Sequence, residues 1–244
     1  MEPIFRKDFE ITDMCVDRFG FLKPSVILMF AQEVAGMHCV ELACDYDTLF
    51  KKHLFWAVAR HSVQITRLPR IGQTIRVETW PMPTTRPAYP RSMVAYDEKG
   101  NECFRSISLW VLMDTRTRNM ILPGKSGISV LGTLRGGELP SPSNLMVRPQ
   151  GSIRNRRVSF TDLDRNGHMN NTRYLEWIDD LFPSDFHASR TLREFTICYL
   201  SEAREGEELT LRWELREDNC LYVDAHRPEE EKETRVFSAQ LRFD

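Results

Sequence analysis

The sequence predicts an α+β protein made of two tandem copies of one unit, each an antiparallel sheet wrapped around a central helix. The apolar pattern gives the order strand, helix, four strands, and this order occurs twice. Between the copies, residues 135–152 are rich in Gly, Pro and Ser, as in a linker. We therefore expect an N-terminal domain over residues 1–134 and a C-terminal domain over residues 153–244.

Local sequence supports the repeat. Residues 17–25 align with residues 164–172, with Asp, Arg and Gly in register. Residues 71–78 align in the same way with residues 205–212. Two matches in the same order indicate an internal duplication.

The first copy opens with a short strand over residues 4–11 and a turn, and Pro24 suits the start of a helix. From Val26 to Ala43 the chain is apolar on nearly every side, which predicts a buried helix. Alternating apolar residues then predict strands over residues 56–65, 74–80, 91–96 and 103–113.

The second copy is predicted to start with a strand over residues 157–160, followed by a polar turn and a helix that ends before Pro183. Its remaining strands are predicted over residues 192–199, 208–215, 221–225 and 235–243.

Composition excludes several classes of protein. The net charge is -2, without the basic field of a nucleic-acid-binding protein, and no apolar run approaches a membrane span. The N-terminal residues resemble neither a signal peptide nor a transit peptide, so we expect a cytoplasmic protein. Six cysteines without a C-x-x-C pair indicate neither a zinc site nor a redox motif. We expect no metal and no cofactor.

The most informative stretch is residues 162–177. Short polar side chains crowd its first half, and such residues compete with the backbone for hydrogen bonds, which places them in a turn or a helix cap. We expect Asn166 and His168 at the positive end of the following helix. A calcium loop is rejected, because its twelfth position would be Arg173 rather than a bidentate Glu.

The repeat sharpens this prediction. Where the second copy has Asn166 and His168, the first has Phe19 and Phe21. This difference indicates a division of labour, with chemistry in the C-terminal copy and apolar ligand binding in the N-terminal copy.

The run from Asp162 to Trp177 resembles the signature of acyl-acyl carrier protein thioesterases of the plant and bacterial fatty-acid type. The similarity extends over residues 56–80 and 105–113, which look like the first domain of that family. The resemblance implies a double hotdog fold. It also implies a thioester hydrolase that converts fatty acyl-acyl carrier protein to free fatty acid and holo-carrier protein.

The resemblance assigns a catalytic set as well. Asp164, Asn166 and His168 match the signature, and the family's Glu, on the following long strand, falls 34 residues after the His at Glu202. Many relatives have a Cys directly after that Glu, whereas this chain has Ala203. A cysteine nucleophile at that position is excluded, which favours attack by water.

The resemblance suggests roles for these residues, with Glu202 as general base, Asn166 holding the water and Asp164 orienting its neighbours. His168 would face the carbonyl oxygen or protonate the leaving thiolate. The plain alternative for Asp164, Asn166 and His168 is a capped turn. For Glu202 it is a solvated strand end.

Several alternatives stay open. The carrier could be coenzyme A, the protein could bind acyl chains without catalysis, or it could be a hotdog dehydratase. Acyl carrier protein and fatty acid are the expected partners, and a homodimer is left open. An acidic carrier would dock on basic residues, for which the candidates are Lys51, Lys52, Arg67, Arg70, Arg148, Arg154, Arg156 and Arg157. The candidate acyl-binding residues, which could equally be core, are Phe19, Phe21, Met29, Met37 and Trp56.

Overall fold

A computed structural model describes residues 3–228 and 233–244. The chain divides into two compact units, one ending at Pro142 and the other beginning at Ser143. This division falls within the stretch that is rich in Gly, Pro and Ser. In the described part of the chain, no helix is both long and apolar enough to span a membrane.

The elements of unit one are β1 (Phe5–Glu10), α1 (Pro24–Glu41), α2 (Tyr46–Phe50), β2 (Leu54–Ile65), β3 (Thr74–Pro81), β4 (Tyr89–Asp97), β5 (Glu102–Asp114), β6 (Met120–Ile121) and α3 (Pro123–Ser126). The strands form an antiparallel sheet in the order β1-β3-β4-β5-β2, with β6 paired to β5. The predicted strands of this copy are confirmed, with ends that shift by one or two residues, whereas α2, β6 and α3 were not predicted.

Helix α1 packs on β1 and β3. Phe30 of the helix stacks on Phe9 of β1, with ring centroids 4.2 Å apart. The expectation of a helix buried on every side is wrong, because Met29, Met37 and Val40 are 37%, 42% and 66% exposed. The sheet covers only one face of the helix. A stretch that is apolar on every side does not show which face that is.

The elements of unit two are β7 (Ser152–Arg157), α4 (Arg173–Asp179), α5 (Ser184–Ser189), β8 (Leu192–Tyr199), β9 (Glu208–Leu215), β10 (Cys220–Pro228) and β11 (Glu233–Phe243). The strands again form an antiparallel sheet, in the order β8-β11-β10-β9-β7. The strands predicted over residues 192–199 and 208–215 match β8 and β9 residue for residue.

The strand predicted over residues 157–160 is wrong. Strand β7 ends at Arg157, and a short 3-10 helix occupies Phe160–Asp162. The Asp162 carboxylate accepts a hydrogen bond from the backbone N–H of Ser159 at 2.9 Å, which closes this turn. This side-chain acceptor satisfies a backbone N–H that a longer strand would have bonded to a neighbouring strand.

Helix α4 is short, but four of its seven residues are buried. Tyr174 and Trp177, on its inner face, are 3% and 1% exposed. The Tyr174 ring lies 4.7 Å from that of Phe237 on β11 and 5.6 Å from that of Tyr199 on β8. The aromatic side chains thus fix the helix on the sheet, directly after the polar stretch.

The segment between the sheets has no helix or strand over residues 127–151. Arginine side chains nevertheless hold it by hydrogen bonds to its backbone carbonyl groups. In unit one, Arg60 Nη1 donates to the Pro142 carbonyl at 3.2 Å. In unit two, Arg235 Nη2 donates to the Val147 carbonyl at 2.9 Å. Each half of the segment is therefore fastened to its own unit by an arginine.

Candidate active site

The polar stretch folds into a tight loop between Leu163 and Met169, which pair as an antiparallel bridge. The Asp164 N–H donates to the His168 carbonyl at 2.8 Å, and the Gly167 N–H donates to the Asp164 carbonyl at 3.0 Å. Gly167 has φ +75°, a conformation that side chains disfavour and glycine adopts freely. The backbone therefore reverses between Asp164 and His168.

The Asp164 carboxylate holds the loop from inside. Its Oδ1 accepts the backbone N–H of Asn166 at 2.8 Å and that of His168 at 3.3 Å. Its Oδ2 accepts the Asn166 side-chain amide at 3.3 Å. Asp164 thus positions Asn166 directly.

Two backbone contacts join this loop to the segment that follows β8. His168 forms a bridge with Arg204, and the Met169 N–H donates to the Ala203 carbonyl at 2.8 Å. In this arrangement His168 Nε2 lies 3.2 Å from Glu202 Oε2. The His168 side chain is 15% exposed and that of Glu202 is 38% exposed, so the carboxylate is open to water.

Glu202 does not lie on a strand, contrary to what the resemblance implied. Strand β8 ends at Tyr199, and Glu202 is in the loop beyond it. Its backbone carbonyl accepts a hydrogen bond from Arg227 Nη1 at 3.0 Å, and the same guanidinium nitrogen contacts Glu207 Oε2 at 3.0 Å. The sequence did not indicate that Arg227 contributes to this site, because Arg227 lies on β10 and reaches the loop only in the folded unit.

The expectation that Asn166 and His168 lie at the start of the helix is wrong. Helix α4 begins at Arg173. The intervening turn is closed by Asn170, whose Oδ1 accepts the backbone N–H and the hydroxyl of Thr172, both at 3.0 Å. His168 is instead directed towards Glu202 by the bridge to the following loop.

A buried tyrosine, Tyr174, and a partly buried one, Tyr199, lie next to each other in this unit, with ring centroids 5.6 Å apart. Burial is the main cause that raises the pKa of Tyr174 well above its usual value, and the charges of Glu207, Asp164 and Glu202 raise it further. Burial likewise raises the pKa of Tyr199, whose hydroxyl donates to the Asn171 carbonyl at 3.0 Å. Both phenols stay protonated at neutral pH.

The candidate acyl-binding residues do not share one environment. Trp56 is partly buried and packs against a core cluster, and its Nε1 donates to the Cys44 carbonyl at 2.9 Å. Met29, Met37 and Phe19 are 37%, 42% and 38% exposed. Their role in binding an acyl chain stays a prediction.

Phe21 is partly buried beneath the Arg70 guanidinium, 4.3 Å from the ring centroid. Since a cation over an aromatic face is attracted by the ring, this contact accounts for Phe21 without a ligand. Its acyl-binding role also stays a prediction.

Several of the candidate basic docking residues have partners within their own unit, and Arg67 pairs with Asp97 at 2.5 Å in unit one. The next pair lies in unit two. Arg154 Nη1 donates to the Asp180 carbonyl and Arg156 Nη1 to its carboxylate, both at 2.7 Å. The Arg156 guanidinium also lies over the Trp177 ring, 4.7 Å from its centroid. These arginines hold strand β7 against the end of α4.

Comparison with known proteins shows the family and the fold of this chain. The sequence profile of the acyl-ACP thioesterase N-terminal domain matches residues 2–122, and that of the acyl-ACP thioesterase C-terminal domain matches residues 148–243. The chain belongs to the acyl-ACP thioesterase family. The family resemblance of the polar stretch is thereby confirmed.

Relatives in plants are similar over most of this chain. A chloroplastic dodecanoyl-[acyl-carrier-protein] hydrolase of Umbellularia californica is 30% identical over 84% of this chain and 58% of its own length. A hydrolase of the same description from Cinnamomum camphora is 28% identical over 82% of this chain and 56% of its own length. The chain thus spans little more than half the length of these curated relatives.

Solved structures of this family share the fold. An acyl-ACP thioesterase from Bacteroides thetaiotaomicron superposes with a TM-score of 0.89 at 24% identity, covering 99% of this chain and 98% of that one. A 12:0-ACP thioesterase from Umbellularia californica superposes with a TM-score of 0.81 at 22% identity, covering 100% and 98%. The double hotdog fold that the resemblance implied is confirmed.

Proposed function

We propose that this protein is a thioesterase that hydrolyses fatty acyl-acyl carrier protein to free fatty acid and holo-carrier protein. The observation that carries this proposal is the 3.2 Å contact between Glu202 and His168, the latter in the loop that the Asp164 carboxylate holds by hydrogen bonds. This pair, in a chain of the acyl-ACP thioesterase family, supplies a base and a proton donor side by side.

Hydrolysis of a thioester requires an activated water and stabilisation of the oxyanion that forms when the water attacks. Glu202, open to solvent, takes the proton of the water as it attacks the carbonyl carbon. The amide of Asn166, fixed by Asp164, holds the water. His168 faces the carbonyl oxygen and passes a proton to the departing thiolate sulfur. Because residue 203 is Ala, no acyl-enzyme forms at that position.

Free-thiol release from acyl carrier protein and coenzyme A thioesters of several chain lengths tests the proposal. Turnover of the carrier-protein thioesters is expected, and Glu202→Gln should lower kcat about 100- to 10,000-fold because the base is lost. Glu205→Gln is a matched control, since Glu205 is an exposed carboxylate three residues away in the same loop.

Each contrary outcome has a meaning. Preference for coenzyme A thioesters would favour the acyl-CoA thioesterase alternative. Binding of both thioesters without turnover would favour an acyl-binding protein. Near-normal turnover by Glu202→Gln would remove Glu202 from the mechanism. The cytoplasmic location, the homodimer and the assignment of acyl binding to unit one stay predictions.

A further inference from the structure

An ion pair in unit two holds the backbone of Glu202. Arg227 Nη1, on β10, donates to the Glu202 carbonyl and to Glu207 Oε2, both at 3.0 Å. The Arg227 and Glu207 side chains are each 25% exposed, so solvent screens their attraction less than that of a fully exposed pair. Arg227 thus fixes the main chain of the residue that we assign as the general base.

The Glu207 carboxylate connects this ion pair to the histidine of the candidate site. Its Oε2 also accepts the backbone N–H of Arg204 at 3.1 Å, and Arg204 forms the backbone bridge with His168. One contact of this oxygen leads through Arg227 to Glu202, and the other leads through Arg204 to His168. A single carboxylate oxygen therefore links both members of the candidate catalytic pair.

Unit one builds the same turn without a charge. Gln73 takes the place of Glu207 in the alignment of the two copies, and its Oε1 accepts the backbone N–H of Arg70 at 2.7 Å. The Gln73 N–H donates in return to the Arg70 carbonyl at 3.2 Å. The Glu207 N–H donates in the same way to the Arg204 carbonyl at 3.1 Å. A neutral amide is therefore enough for the turn, and the charge of Glu207 serves another purpose.

The partner of that charge also differs between the copies. Ala95 and Ala225 hold equivalent places, because each pairs with the same position of the repeat, on β3 and on β9. Two residues further along, unit one has Asp97 and unit two has Arg227. Unit two, which contains the candidate site, thus acquires an ion pair at positions that cannot form one in unit one.

We propose that Arg227 and Glu207 are positioning residues for the thioesterase reaction, which keep Glu202 and His168 at the separation that proton transfer requires. This inference rests on the proposed function of that pair. A catalytic group that moves by about 1 Å can lose about 100-fold in rate. Because Gln73 supports the same turn without a charge, loss of the ion pair affects the rate more than the fold.

Steady-state thiol release separates positioning from folding. Glu207→Gln keeps an acceptor for the Arg204 N–H but removes the charge that holds Arg227. We expect kcat to fall about tenfold with KM within about twofold of wild type, because the lost contact affects the transition state rather than substrate binding. The melting temperature should stay near that of wild type. Glu214→Gln is the matched control, because it breaks another ion pair of β9, and it should leave kcat unchanged.

Variants of Arg227 test the contacts themselves. Arg227→Lys should keep kcat within about fivefold of wild type, since a single nitrogen makes both contacts and an ammonium group can replace it. Arg227→Ala should lower kcat about 100-fold, and millimolar guanidinium ion should restore part of it by binding between the Glu207 carboxylate and the Glu202 carbonyl. The double variant Arg227→Ala, Glu207→Gln should be no slower than Arg227→Ala and should not respond to guanidinium, because the two groups act as one unit. Equal rescue of both variants would refute the role of Glu207.

Hydrogen exchange separates a failure of this inference from a failure of the proposed function, because it requires no turnover. The Met169 N–H donates to the Ala203 carbonyl, so its exchange reports whether the loop of His168 stays joined to the segment of Glu202. In Arg227→Ala this amide should exchange at least about tenfold faster by NMR, whereas the amides between β10 and β11 keep their wild-type rates. Faster exchange in a protein that hydrolyses no thioester would refute the proposed function and retain the positioning role. Unchanged exchange at Met169, or wild-type kcat in Arg227→Ala, would overturn the inference.

Discussion

The loops from Asp17 to Leu22 in unit one and from Asp164 to Met169 in unit two have the same backbone. In each, the aspartate Oδ1 accepts the N–H groups of the residues two and four positions later, at 2.9 and 3.0 Å for Asp17 and at 2.8 and 3.3 Å for Asp164. The residue three positions later is a glycine, with φ +79° in the first loop and +75° in the second.

The anchoring of the two loops is also the same. The residue four positions after each aspartate forms a bridge with an arginine, Arg70 in unit one and Arg204 in unit two. The next residue donates its N–H to the carbonyl before that arginine, at 2.9 Å for Pro69 and 2.8 Å for Ala203. The sequence alignment of the two copies is therefore confirmed down to individual hydrogen bonds.

Only the side chains on this frame differ. The residue two positions before the arginine is Leu68 in unit one and Glu202 in unit two. Glu202 meets His168 at 3.2 Å, whereas Phe21, in the place of that histidine, lies under the Arg70 guanidinium. The aspartate and the glycine thus specify the loop. The residues that carry chemistry can change without altering it.

The largest effect is expected when unit two receives the side chains of unit one. The double variant Asn166→Phe, His168→Phe should fold, because Phe19 and Phe21 occupy the same backbone. Turnover of acyl-acyl carrier protein should fall at least about 1,000-fold, since both polar groups are lost. A thermal melt checks the fold. Turnover within tenfold of wild type would refute the catalytic role of this loop.

The next effect concerns the aspartates. Asp17→Ala and Asp164→Ala should each lower the free energy of unfolding by about 1–2 kcal/mol, because two backbone N–H groups lose their acceptor. Only Asp164→Ala should lower kcat, by about 100-fold, since it releases Asn166. Urea unfolding and steady-state kinetics measure the two effects. Equal losses of kcat in both variants would mean that the loops share one function.

A smaller effect is expected at the glycines. Gly20→Ala and Gly167→Ala should each cost about 1 kcal/mol, because φ stays positive and a Cβ disfavours that conformation. An added Cβ at Gly167 meets no atom within 4 Å, and at Gly20 it approaches only Ile71 Cγ2, at 3.7 Å. Both melting temperatures should therefore fall by similar amounts. A much larger fall for one variant would show that the loops are not equivalent in solution.

The smallest effect is expected for the reverse exchange. Phe21→His, added to Glu202→Gln, should restore no turnover, because Leu68 stands where a carboxylate would be needed. Thiol release is measured against Glu202→Gln alone. Recovery of activity would show that histidine in this loop acts without a neighbouring base.

Much of the fold could be predicted because it depends on local patterns. The alternation in β9, with Leu209 and Leu211 buried, and the Asp and Gly of the two loops are visible in the chain. The candidate site was named from the resemblance, with the spacing from His168 to Glu202 in agreement. Short elements such as α2 were missed, although Asp45 caps it by accepting the N–H groups of Asp47 and Thr48. Five residues give too few turns for a periodic signal.

Three features could be predicted from the sequence alone. They are the duplicated unit, the loops that begin at Asp17 and Asp164, and the difference between the side chains of these loops. Each loop depends on residues that lie close together in the sequence, because backbone geometry and local hydrogen bonds determine its conformation. Only the folded unit showed that Glu202 lies beyond the end of β8 and that its carboxylate is 3.2 Å from His168. Contacts between distant segments depend on strand register and burial, which no short stretch of sequence contains.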